Sequence, residues 1–138
     1  MVGMNTPAQT EASDAQKSDA DDPALKAAQA AIDAYRTEHQ DAHLERLRTP
    51  VNTEGDFVVA VARLPTTAEW LMVKAKQMDV DANNRASANR LIVNTCVIYP
   101  KGPELTATLK RYPAIVDVWA GEIAEMAGAI KGTVREKV

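Results

Sequence analysis

Cys96 is the one thiol of the chain, and His39 and His43 are its two imidazoles. A nucleophilic thiolate needs an electropositive, partly exposed setting and a base within reach. Cys96 instead stands among Val93, Val97 and Ile98, with both histidines far upstream. This predicts a buried thiol acting as a small hydrophobe. His39 and His43 are four residues apart, which on a helix places both on one side. Only Gln40-Asp41-Ala42 lies between them, no glutamate sits where a zincin motif requires one, and no further cluster supplies ligands. The pair reads as a solvated helix surface. Asp79, Asp81, Asn83 and Asn84 offer oxygens for calcium, but the glycine and terminal glutamate of an EF-hand loop are missing. They read as an inter-helix connection. With no Gly-rich phosphate loop and no Ser/His/Asp set either, the sequence predicts a protein that is not an enzyme and needs no metal or cofactor.

The elements that position these residues must come from a modest core. The chain has 138 residues, enough for one domain. Hydrophobic residues make up 46%, but much of that is alanine, and only six aromatic residues are present. The net charge is −3, and it is uneven: residues 1–22 carry −4, leaving about +1 for the rest. The folded part therefore has no field to attract a phosphate backbone, and no nucleic acid is expected. No apolar run approaches membrane-span length, and the N-terminus shows no apolar signal core, so no membrane is expected either. A single cysteine suits a reducing compartment. These features predict a soluble intracellular protein.

Residues 1–22 hold almost no large apolar side chain and read as a disordered acidic tail. Asp22-Pro23 then serves as cap and first residue of an alanine-rich helix over residues 23–48, with Leu25, Ala28, Ile32, Tyr35, His39, Ala42 and Leu47 near one thin stripe. This helix is expected to project or dock loosely. Thr49–Gly55 is a turn-rich break, and Phe57–Ala62 is a β-branched strand without an obvious second strand. Thr66 or Thr67 caps a helix carrying Trp70, Leu71, Val73 and Met78, with Glu69 near its positive end. A helix from Asn84 to Val97 follows, closed by Tyr99-Pro100. A short one runs from Glu104 to Lys110, and the last starts at Pro113 and ends near Gly128, leaving 131–138 as a frayed tail. The expected fold is mainly α: four to five helices, with one short strand leading a helical core over residues 56–130.

Three motifs in this order carry a family likeness. They are Leu64-Pro65-Thr66-Thr67-Ala68-Glu69-Trp70, Cys96-Val97-Ile98-Tyr99-Pro100 and Leu109-Lys110-Arg111-Tyr112-Pro113-Ala114-Ile115, the last leading to Met126-Ala127-Gly128. Over about residues 56–128 the chain resembles the phage tail assembly chaperones of long-tailed bacteriophages and prophages. The resemblance implies a non-enzymatic helper in the host cytoplasm, absent from the mature virion, that binds tape-measure protein and tail-tube subunits during tail assembly. It carries no catalytic residues, and residues 1–48 have no counterpart in it. The alternative is a structural tail or tail-completion protein retained in the particle.

The residues expected to meet a partner follow from the apolar inventory. Trp70, Leu91, Tyr99, Tyr112 and Trp119 are expected to build or line a shallow apolar groove. Phe57, Val59 and Val61 lie on the unpaired strand 57–62, which is expected to add to a neighbouring strand or to a second copy.

Overall fold

The computed structural model describes residues 22–128 and 136–137. Apart from Asp22, Glu136 and Lys137, the two predicted tails lie outside the described residues. Helix α1 spans Pro23–Glu38, strand β1 Leu44–Pro50 and strand β2 Phe57–Arg63. Helices α2 (Thr67–Gln77), α3 (Ala82–Ala86) and α4 (Ala88–Cys96) come next, then strand β3 (Val97–Tyr99) and helices α5 (Pro103–Arg111) and α6 (Ile115–Met126). Among the described residues the strands form one antiparallel sheet in the order β1-β2-β3. The fold is mixed α/β, not the mainly helical domain with one strand that the sequence predicts.

The Asp22 carboxylate starts α1 by accepting from the Ala24 and Leu25 amides at 2.8 and 3.4 Å, with Pro23 supplying a fixed φ. Leu25, Ala28 and Ile32 recur at helical spacing and are buried. The helix stops at Glu38, ten residues before the predicted end, and His39 leaves helical geometry. Leu44 to Pro50 pairs residue by residue with Arg63 to Phe57. Leu, Glu and Arg favour helix on their own; the backbone groups of the apolar β2 require a neighbour, and that tertiary demand prevails.

The turn between β1 and β2 is built by Asn52, whose side-chain oxygen accepts from the Glu54 and Asp56 amides. Gly55 completes it at φ +96°, where a Cβ is strained. Strand β2 is therefore the middle of the sheet, not an unpaired strand. Val59 and Val61 face α1 in one apolar cluster. Ala60 and Ala62 face the opposite cluster, with Leu47, Val93, Cys96, Leu109, Trp119 and Ile123. Burial on both faces explains its nearly continuous apolar run. Helix α1 forms one layer, the sheet the second, and helices α2 to α6 the third. The predicted loose extension is thus part of the core.

The Tyr-Pro steps divide their roles. Tyr99-Pro100 is a cis peptide at the end of a strand, not of a helix. Tyr112 closes α5 as predicted, its amide donating to the Thr108 carbonyl at 2.9 Å. The helix predicted from Asn84 to Val97 is broken at Ser87 and ends at Cys96. Gly128, at φ +100°, donates to the Glu125 carbonyl at the end of α6.

Candidate partner-binding surface

Helix α2 is fixed to the core by one guanidinium. Arg63, the last residue of β2, donates to both oxygens of Glu69 at 2.8 and 2.7 Å. It also donates to the carbonyl of Leu64 and to that of Thr95, both at 3.0 Å. The end of β2, the first turn of α2 and the last turn of α4 thus meet on Arg63. Glu69 also accepts from the Thr66 amide while Thr66 Oγ1 accepts from the Glu69 amide, a reciprocal cap. The hydrogen bonds from Arg63 come first among the causes that hold the Glu69 carboxyl down at about 2; those from Thr66 add to them and burial opposes them. In return, the Glu69 hydrogen bond raises the Arg63 guanidinium above its usual value.

Held this way, α2 turns Val73 into the core and leaves Trp70 half-buried at its flank. Its outward side is apolar too. Ala68, Leu71, Met72, Ala75 and Met78 recur at three- and four-residue spacing and are all exposed. Leu71 is 61% exposed, Met72 63%, Met78 82%, and Val80 in the following turn 96%. Four large side chains at these exposures present on the order of 500 Å², the size at which an apolar patch on a monomer is often functional. Lys74 and Lys76 in the last turn supply positive charge along this seam. Lys74 also lies 5.1 Å from the centre of the Trp70 ring. A groove beside the seam, between α2 and α4, is lined by Glu69, Met72, Leu91 and Thr95.

The residues expected to form one groove do not share a surface. Trp119 is fully buried, and its indole N–H donates to Thr49 Oγ1 at 2.8 Å. Val59 and Val61 are buried beneath α1 and unavailable to a partner. Tyr99 and Phe57 are half-buried on the α1 side of the sheet, Phe57 with the Arg48 guanidinium 3.9 Å above its ring. Tyr112 packs half-buried against the opposite cluster. Of the predicted set, Trp70 and Leu91 border the α2 surface. The strand 57–62 is not unpaired: β1 covers one side of β2 along its whole length and β3 meets the other at Val61 and Ala62, which leaves β1 and β3 as the outer strands of the sheet.

The other chemical candidates have plain roles. Cys96 is fully buried, and burial pushes its thiol up to about 11. His39 stacks on Tyr35 with ring centres 4.2 Å apart, whereas His43 lies beyond the helix, 3.4 Å from Glu45. The two histidines therefore do not share a helical face. Asp79 accepts from the Asp81 amide, and Asp81 caps α3 through the Asn83 amide. Among the described residues no three His, Cys, Asp or Glu side chains gather as a metal site, and no helix is long and apolar enough to cross a membrane.

Sequence reasoning missed the seam because it sought one apolar face per helix. The signal was Trp70-Leu71-Met72-Val73, four consecutive apolar residues that cannot all point inward from a helix.

The chain matches no protein-family model and no curated protein. Its fold is similar to that of an uncharacterised protein from Bacillus stearothermophilus, with a TM-score of 0.59 and 15% identity over 76% of this chain and 99% of the other. That likeness concerns the fold alone.

Proposed function

We propose that this chain is a non-enzymatic tail assembly chaperone of a long-tailed phage or prophage, and that the outward seam of α2 binds its client. The observation that carries the binding role is the apolar stripe from Ala68 to Met78 on the solvent side of a helix clamped by Arg63. A stripe at helical spacing matches an amphipathic helix laid alongside it. Ala68 and Ala75 permit close approach of a partner backbone, and Leu71, Met72 and Met78 supply adaptable apolar contact. Lys74 and Lys76 favour a client helix with acidic residues flanking its apolar stripe. Tape-measure protein, long and helical, is the client the resemblance implies, and tail-tube subunits are its second partner.

The resemblance rests on the order of the three motifs, and each motif has a physical task in this fold. The Thr66-to-Trp70 motif caps and clamps α2, Cys96-to-Pro100 turns α4 into β3, and Tyr112-Pro113 separates α5 from α6. Co-expression with the tape-measure protein of the same phage or prophage tests the proposal. Stable co-purification is expected, together with absence of the chain from purified particles by mass spectrometry. Presence in particles at stoichiometric amounts supports the alternative, a structural tail protein; failure to co-purify overturns the chaperone role.

A further inference from the structure

The exposed stripe of α2 is symmetric about its own midpoint. Ala68, Leu71, Met72 and Ala75 run small, large, large, small, and the midpoint falls between Leu71 and Met72. At about 100° per residue all four share the face opposite the buried Val73, with no charged side chain among them. By the same spacing Lys74 and Lys76 flank the stripe on opposite sides. Past its end, Met78 and Val80 are 82% and 96% exposed, and Leu64, ahead of the helix, is exposed too.

We propose that a second copy of this chain covers the seam, α2 packing antiparallel on α2 about a two-fold axis between Leu71 and Met72. The inference rests on reading the seam as a docking surface, not on which client it takes. In this register Ala68 of each copy meets Ala75 of the other, and Leu71 meets Met72. The alanines let the helix axes approach to about 8 Å. Met78 and Val80 then reach past the Thr66 cap of the other copy towards its exposed Leu64. Charge selects the direction. A parallel pair sets each lysine level with its counterpart, which is destabilising. The antiparallel pair displaces them along the axis, by about 7.5 Å for Lys74 and about 13.5 Å for Lys76. Area sets the strength. At about 500 Å² a copy, pairing buries about 1,000 Å² in total, the size of a weak, exchanging interface. A dissociation constant on the order of 100 µM fits that size. The copy brings lysines where an acid-flanked client helix brings carboxylates, so the client displaces it. Self-pairing thus keeps the seam out of water until a client arrives.

Sedimentation equilibrium of the full chain alone, from about 10 µM to about 1 mM, tests the pairing. A reversible dimer is expected, and a chain still monomeric at the highest concentration overturns it. L71S/M72S changes two exposed positions and should be monomeric with a native circular dichroism spectrum. A dimer of unchanged strength in that variant overturns the pairing. Disulfide trapping reads the register, since Cys96 is buried and stays out of the reaction. In an equimolar mixture of A68C and A75C under mild oxidation, the mixed dimer should exceed both homodimers. Identical positions lie about 10 Å apart along the axis, beyond the roughly 7 Å that a disulfide spans between Cα atoms. A mixed dimer at no more than its chance share overturns the antiparallel arrangement. A monomeric chain that binds its client overturns the pairing and leaves the chaperone role standing. A dimer that binds no client supports the pairing and counts against that role.

Discussion

At the scale of single residues, the Arg63–Glu69 pair is the most consequential contact. Both side chains are about three-quarters buried, and the two terminal nitrogens of Arg63 make four hydrogen bonds, to both Glu69 oxygens and to the Leu64 and Thr95 carbonyls. The Glu69 carboxyl drops from 4.5 in the unfolded chain to about 2 in the fold. Its stabilisation is therefore complete above pH 4.5 and lost as the pH falls from there towards 2. Such a shift has an upper bound of about 3 kcal/mol, which screening at a partly exposed site cuts to roughly 1–2 kcal/mol. Urea unfolding of E69Q should show that deficit at pH 7, with the gap to the natural chain closing towards pH 2. A gap that does not vary with pH contradicts the assignment. Trp119 gives a second test. W119F loses the hydrogen bond to Thr49 and leaves a void, which should cost about 2–3 kcal/mol. Stability within error of the natural chain would count against a core role.

At the scale of elements, the sheet order makes a clear forecast for hydrogen exchange. Amides of β2, buried on both faces and paired, should exchange near the global unfolding rate, while alternate amides of the edge strand β1 exchange faster. Rapid exchange throughout β2 would restore the unpaired strand that the sequence suggests. The elements whose signals are local were legible in the sequence: Asp22-Pro23 starting α1, Thr66 and Glu69 starting α2, Tyr112-Pro113 separating two helices, and the apolar run of β2. What escaped depends on distant partners. Leu44 and Leu47 fit a helical stripe as well as a strand, and three-residue β3 continues the apolar face of α4 without a break. Of the candidate surface, Trp70 and Leu91 were legible. The seam at Leu71, Met72 and Met78 was not, because an apolar residue signals burial without saying whether its own core or a partner buries it.

At the scale of the whole molecule, the sheet makes one body of what reads in sequence as an extension and a core. Ala28 has no exposed surface where α1 meets the sheet. A28E should therefore destabilise the entire chain by more than about 3 kcal/mol in one cooperative transition. If α1 were an independent arm, the helices of the opposite layer would melt unchanged. The most direct test of the central claim is co-purification of tape-measure protein with L71S/M78S. Both side chains point to solvent, so the variant should keep the natural circular dichroism spectrum and melting temperature. The client should be lost; full retention of it by a natively folded variant would contradict the account.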